Sequence, residues 1–167
     1  MILVTGGSAS GKSAYAEQRI AEEDGIPTYL ATMRRGSAEA EERIRKHLRQ
    51  REGKGFLTVE CPVKIGTVLH RCTEAVLLED LGNLVANEMF GEVFEESVAE
   101  RIGADIRKLR ESRKQLVIVT DEVFSDGGVY DGQTMQYIKE LARLNKICAG
   151  LADEVWEVVC GIPVRVK

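Results

Sequence analysis

A chain of 167 residues, 44% of them hydrophobic and 30% charged, is long enough to bury one core and is expected to form a single domain over residues 1–167. Its 16 glycines and 3 prolines are dispersed, which excludes collagen-like and linker-dominated chains. With 23 basic against 27 acidic residues the net charge is −4, the wrong sign for a surface built to bind nucleic acid as a whole.

Apolar runs of strand length alternate with helical patterns, which predicts an α/β domain on a mostly parallel sheet. The first strand is expected over Met1 to Thr5, and it leads directly into Gly6-Gly7-Ser8-Ala9-Ser10-Gly11-Lys12-Ser13. That octet fits G-x-x-x-x-G-K-[ST] without a mismatch and is followed by helix formers from Ala14 to Ile20. Small residues let the backbone curl so that its N–H groups face a phosphate, and the positive end of the following helix adds to the attraction. Lys12 is expected to reach the β and γ phosphates, and Ser13 to offer its hydroxyl to Mg²⁺. The reading is therefore a three-layer P-loop NTPase fold.

A second strand is expected over Pro27 to Ala31. Residues 38–51 then form a charged helical pattern in which Arg43, Arg45, Lys46, Arg49 and Arg51 surround His47, a local basic face on an acidic chain. Two readings of His47 stay open on the residues alone. It is a surface side chain, or it is a nucleophile toward phosphorus whose pKa the neighbouring cations depress. Further strands are expected over Phe56 to Val59 and Ala75 to Glu79. The mixed segment Pro62 to Cys72 lies between them, with His70 read as a partly buried structural residue. The run Ala75-Val76-Leu77-Leu78-Glu79-Asp80 brings two acids to a strand end, where one of them would help hold the metal and the other would face away or cap the next helix.

Ser97 to Ser112 places Val98, Ile102, Ile106 and Leu109 on one stripe, and Thr134 to Ala149 does the same with Met135, Ile138, Leu141, Ala142 and Cys148, so both helices are expected to cover the sheet. Strands over Gln115 to Thr120 and Asp153 to Val159 follow the same alternation. Around Cys160-Gly161, Glu154 to Val159 and Ile162 to Val166 read as a hairpin, which makes the C-terminal edge of the sheet antiparallel. Cys61, Cys72, Cys148 and Cys160 form no C-x-x-C pair and are expected to be small buried hydrophobes rather than zinc ligands. No apolar run approaches the roughly 20 residues of a membrane span. The N-terminus has neither a basic stretch nor a small-residue cleavage site, so a cytoplasmic location is expected.

Taken in order, these residues resemble the bifunctional adenosylcobinamide kinase and adenosylcobinamide-phosphate guanylyltransferase family of cobalamin assembly. The likeness rests on Ile2-Leu3-Val4-Thr5-Gly6-Gly7 with Ser10-Gly11-Lys12-Ser13, on Tyr29-Leu30-Ala31-Thr32, and on Arg43-Ile44 with His47 three positions on. It continues through Thr58-Val59-Glu60, Leu78-Glu79, Asn87, Glu122-Val123, Asn145, and Ala152-Asp153-Glu154-Val155 to Gly161-Ile162-Pro163. The resemblance implies that His47 takes GMP from GTP as a phosphoramidate and passes it to adenosylcobinamide phosphate, after a kinase step on the aminopropanol hydroxyl of adenosylcobinamide. It implies GTP, ATP or both as co-substrates with Mg²⁺, a corrinoid acceptor, and a homotrimer. By the same resemblance the nucleotide contacts are Gly6, Gly7, Ser8, Ala9, Ser10, Gly11, Lys12, Ser13, Thr32, Met33, Arg34, Arg51, Glu60 and Glu79; the metal ligands, Ser13 with Glu79 or Asp80, follow from the cradle and the acidic strand end.

The chain departs from the family pattern in two places. An arginine-proline pair after the histidine reads here as Arg51-Glu52, with one extra residue before Phe56. The family's asparagine-glutamate-valine-glycine reads as Asp121-Glu122-Val123-Phe124, and the following valine-proline and arginine-phenylalanine-arginine-aspartate pattern gives way to Val129-Tyr130-Asp131 and Gln136-Tyr137-Ile138-Lys139. A kinase or NTPase of the same fold without nucleotidyl transfer is the alternative reading.

Overall fold

The computed structural model describes residues 1–22, 25–91, 97–125, 127–128 and 130–167. Seven strands form one sheet: β1 (Ile2–Thr5), β2 (Thr28–Ala31), β3 (Leu57–Glu60), β4 (Ala75–Glu79), β5 (Gln115–Val119), β6 (Glu154–Val159) and β7 (Ile162–Arg165). Their order is β3-β2-β4-β5-β1-β6-β7, with all neighbours parallel except the final pair. The predicted strands are all present, shifted by at most a residue or two.

Parallel pairing demands cover on both faces, and the alternation within the strands supplies two apolar surfaces. Leu3, Ile118, Leu78 and Leu30 stand opposite one another across β1, β5, β4 and β2. They form one buried face, beneath α3 (Leu81–Met89), α4 (Val98–Ser112) and α5 (Gly132–Leu151). Ile2, Val4, Val117, Val119 and Leu77 form the other face, against Ala16 and Ile20 of α1 (Lys12–Ala21). The α4 stripe is buried as its spacing predicts. On α5 the buried face is Leu141, Leu144 and Cys148, with Glu140 beside them, while Met135 and Ile138 of the expected stripe are only half-buried.

The helix α2 (Ala38–Arg51) begins at Ser37, whose side chain accepts a hydrogen bond from the Ala40 N–H. Two side-chain ties hold its C-terminal end. The Arg51 guanidinium lies 3.3 Å from the centroid of the Tyr29 ring. Three residues on, the Lys54 ammonium meets the buried Glu17 carboxylate of α1 at 2.6 Å.

Two expectations need correction. His70 is exposed, because the segment Ile65–Arg71 is a 3₁₀ helix whose period of three turns Ile65 and Val68 toward the core and His70 away from it. Cys160 is also exposed, since it occupies the hairpin turn; Cys61 and Cys148 are buried, Cys72 is half-buried, and all four are free thiols. Val129, part of the altered stretch, lies outside the described residues.

The turn between β6 and β7 is formed by Cys160 at φ 51° and Gly161 at φ 82°, the paired positive angles of a two-residue hairpin loop. It braces the first loop of the chain: the Gly161 N–H donates to the Ser10 carbonyl at 2.8 Å, and the Gly161 Cα lies 3.3 Å from where a Cβ on Gly11 would sit. A methyl group on Gly161 would meet no atom within 4 Å, so its cost is conformational alone. Gly161→Ala is therefore expected to lower stability by about 1 kcal/mol, read as a lower urea midpoint with an unchanged slope. An unaltered midpoint would show that the positive φ is not enforced.

Candidate active site

The C-terminal ends of β1, β4 and β5 meet at one rim of the sheet, and the candidate residues collect there. Residues 6–13 wrap the N-terminus of α1. At Gly6 no side chain fits, since a Cβ would come within 2.5 Å of Ser10 Oγ and 2.6 Å of the Val158 carbonyl. Gly11 sits at φ 95° and leaves α1 without a side-chain cap, so the first amide groups of that helix remain for an anion. The Ser10 N–H closes the loop on the Gly7 carbonyl at 3.2 Å, and the Glu122 N–H ties the loop after β5 to the Gly6 carbonyl at 3.0 Å.

Lys12 is buried with its ammonium directed into the loop. It donates to the Gly7 carbonyl at 3.0 Å and pairs with Asp121 Oδ1 at 2.8 Å. The Ser13 hydroxyl donates to Glu79 Oε1, while Glu79 Oε2 is buried with no partner. Burial, partly offset by the Ser13 hydrogen bond, pushes the Glu79 carboxyl well above the ordinary range. Asp80 is shifted the same way by burial and by the charge of Asp121. Both directions describe a pair of acids short of positive charge.

A divalent cation fits that deficit: Ser13 offers a hydroxyl oxygen, and Glu79 a carboxylate with one oxygen unclaimed. Among the described residues no three His, Cys, Asp or Glu side chains gather to hold a metal by themselves. Between the two acids the structure distinguishes roles. Asp80 has left the pleat of β4 and caps α3, accepting from the Asn83 N–H at 2.6 Å and Asn83 Nδ2 at 2.8 Å. The expected division, one acid toward the phosphates and the other facing away or capping the next helix, thus takes its capping form at Asp80, although both acids line the cavity.

That cavity, about 250 Å³, is walled by the cradle on one side and by Arg43, Lys46, His47 and Gln50 of α2 on the other. A narrow slot of about 40 Å³ adjoins it, with Tyr29, Met33, Ile44, Arg51 and Glu60 in its walls. His47, Glu79 and Asp80 line both spaces. The histidine thus stands at their junction with its Nδ1 buried and unpartnered. Its pKa falls to about 4, first through loss of solvent and then through the charges of Arg51, Arg43, Lys46 and Lys12. In the slot Arg51 is also short of partners: Nε and Nη1 are buried and unbonded above the Tyr29 ring. Glu60 is held below the usual carboxylate range by its hydrogen bond with Arg35, at 2.7 Å.

Not all of the expected contacts converge. Thr32 acts as a structural pin, its N–H on the Glu79 carbonyl at 3.0 Å and its hydroxyl exchanging hydrogen bonds with the Asp80 backbone at 2.7 and 2.8 Å. Arg34 turns to the Asn87 carbonyl at 3.5 Å and lines a separate cleft with Ser37 and Arg43. Two residues were missed by motif reasoning. Tyr29, which seats Arg51, had only its place in a strand to announce it, and the ion pair of Asp121 with Lys12 joins positions 109 apart in the chain.

Comparison with known proteins accords with this geometry. The family described as cobinamide kinase / cobinamide phosphate guanyltransferase matches residues 2–166. The bifunctional adenosylcobalamin biosynthesis protein CobU of Escherichia coli K12 is 32% identical over 183 aligned positions that cover 100% of this chain and 99% of that protein. Its Salmonella typhimurium LT2 counterpart is 33% identical with the same coverage. The bifunctional protein CobP of Pseudomonas aeruginosa PAO1 is 29% identical, covering 99% of this chain and 96% of that one. Among solved structures, a KaiC-like protein of Pyrococcus horikoshii OT3 superimposes with a TM-score of 0.53 at 16% identity, over 93% of this chain and 70% of its own, and shares the fold. The chain belongs to the cobinamide kinase / cobinamide phosphate guanyltransferase family.

Proposed function

We propose that this chain phosphorylates the aminopropanol hydroxyl of adenosylcobinamide, and that it transfers GMP from GTP to adenosylcobinamide phosphate through a covalent intermediate on His47, giving adenosylcobinamide-GDP. The observation that carries the reading is His47 itself. It stands in the wall of the cavity that the phosphate cradle opens into, unprotonated near neutral pH and ringed by cations.

Each residue has a task in this scheme. The backbone of residues 6–13 and the Lys12 ammonium bind the phosphate tail and fix its orientation. Mg²⁺, held by Ser13 and Glu79, would supply neutralising charge to the β and γ phosphates. A lone pair of the neutral His47 ring attacks the α-phosphorus, forming a P–N bond as the P–O bond to pyrophosphate breaks. Arg43 and Lys46 share that cavity wall, where their charges stabilise the negative charge that builds on the phosphoryl oxygens. A phosphate oxygen of the acceptor then attacks the same phosphorus and releases the histidine. Arg51 and Glu60 face one slot with unpaired donors on the arginine, and we assign them to the nucleoside portion of GTP together with Met33. Thr32 contributes by fixing the end of β4, and Arg34 lines the neighbouring cleft, which shares Arg43 with the cradle cavity. Either ATP or GTP serves the kinase step.

The same reading makes the whole chain one nucleotide-binding domain, working as a homotrimer in the cytoplasm. No helix of the described residues is long and apolar enough to cross a membrane.

Incubation with Mg²⁺ and GTP labelled at the α-phosphate tests the covalent step. Label is expected to remain on the denatured protein, to survive base, to be lost in acid, and to be absent from His47→Ala. GTP binding without any adduct would overturn nucleotidyl transfer and leave a kinase of the same fold.

The depressed pKa of His47 yields a second expectation. A nucleophilic imidazole is active when neutral, so its competence is present above the pKa and disappears as pH falls through about 4. In the nucleotide-free protein the His47 ring resonances are expected to titrate near pH 4, and Arg51→Gln is expected to move the midpoint upward by removing a nearby charge. A midpoint of 6 or above in the unaltered protein would refute this environment for the ring.

A further inference from the structure

A lysine ammonium has three protons, and on Lys12 two are already engaged. One goes to the Gly7 carbonyl at 3.0 Å and one to Asp121 Oδ1 at 2.8 Å. The lysine of such a loop spans the β and γ phosphates, which calls for two protons. One of the present partners must therefore yield when a polyphosphate enters.

The two partners differ in how readily they yield. The Gly7 carbonyl is main chain inside the curled loop, where it also accepts from the Ser10 N–H at 3.2 Å, so it leaves only if the loop opens. Asp121 is a side chain about a quarter exposed, and water meets its carboxylate as it turns away. Its backbone is pinned on both sides, by the Thr120 N–H on the Val4 carbonyl at 2.9 Å and the Glu122 N–H on the Gly6 carbonyl at 3.0 Å. Side-chain rotation is the movement left to it, and Gly82 leaves room: a Cβ there would lie 3.0 Å from Asp121 Oδ2.

Rotation does not carry the charge far. Asp121 stays in the cavity wall with Glu79 and Asp80, so a polyphosphate on Lys12 lies beside a third carboxylate. Like charges at this range oppose each other. The charge of Asp121 is already felt at Asp80, whose carboxyl it helps to shift upward. When phosphate moves off, the carboxylate is at hand to recapture the ammonium. This is also a position at which the chain departs from the family pattern, with an acid in place of asparagine, a side chain of the same shape without the charge.

We propose that Asp121 is an internal competitor of polyphosphate for Lys12, a positioning residue that weakens the hold of the cradle on its ligand and so speeds the release of the diphosphate and pyrophosphate products. The inference rests on the nucleotide-binding part of the proposed function and on neither transfer step in particular. The sign of the effect is what distinguishes it. A carboxylate that held Lys12 ready for phosphate would strengthen binding, whereas a competitor weakens it.

The test is calorimetric titration of the full chain with GDP, inorganic pyrophosphate and GMP, each with Mg²⁺, together with the dissociation rate of fluorescently labelled GDP. Asp121→Asn is expected to lower the Kd for GDP and for pyrophosphate by about tenfold and to slow GDP dissociation by about the same factor. For GMP, which has no β phosphate to bridge, the gain is expected to stay below about threefold. Asp121→Ser, smaller and also neutral, should change all three in the same direction. Unchanged constants overturn the proposal, and so does weaker GDP binding in either variant, because Asp121 would then hold Lys12 in its binding pose. An equal gain for GMP and GDP overturns the competition for Lys12 and leaves only a general effect of charge. If the unaltered protein binds none of the three ligands, the nucleotide reading fails and takes this inference with it; if it binds them and the variants match it, the inference fails alone.

Discussion

The hydrogen bond from the Ser13 hydroxyl to the Glu79 carboxylate joins two parts of the sheet that are not neighbours. Ser13 follows β1, Glu79 ends β4, and β5 runs between these strands. For the two side chains to meet, three parallel strands must end at one level, and the register of β1, β5 and β4 ensures it: Leu3 stands opposite Ile118, and Ile118 opposite Leu78. A slip of one residue along this register would turn Leu78 to the wrong face and carry Glu79 away from the rim. The apolar rows thus position the polar chemistry. They also explain how a carboxylate can be fully buried there, since the surrounding strands are fixed by both faces of the core.

The same constraint distributes charge. Acids come from the sheet ends, Glu79, Asp80 and Asp121, and cations from the helices, Lys12 on α1 and Arg43 and Lys46 on α2. A net charge of −4 is therefore a poor guide to the site, where a triphosphate with its metal would lie between opposed layers of unlike sign. Lys12 reconciles the two layers through its pairing with Asp121.

Much of this was legible in the sequence because the governing patterns are local. The loop at residues 6–13 is a contiguous motif, the strands are contiguous apolar runs, and the stripe on α4 repeats within fifteen residues. The hairpin at Cys160-Gly161 was equally readable from two residues and their flanks. What failed depended on geometry beyond the segment. His70 was misjudged because a 3₁₀ turn, not a helix or strand, decides which way it points. Met135 and Ile138 fit the α5 stripe by spacing, yet the burial of that helix is concentrated from Glu140 onward, which periodicity alone does not encode. For His47 the residues alone favoured a surface side chain over a nucleophile, and only the family resemblance reversed that order. Its placement at the cavity junction is a property of how α2 docks.

That docking is achieved with little apolar contact, since Leu48 is exposed and Ile44 only half-buried. The ties are instead Arg51 over Tyr29 and Lys54 against Glu17, both at the end of the helix nearest the core. A helix anchored at one end by a stacked guanidinium and one ion pair is less costly to displace than one seated by a leucine stripe, because the charged groups recover hydration when released. Two features of Arg51 pull together. Its planar face on Tyr29 fixes the helix, while its unbonded Nε and Nη1 remain available to a ligand in the slot. A ligand bound to those donors would strengthen the anchor of the helix that carries His47, so occupancy of the slot and placement of the histidine are favoured by one and the same side chain.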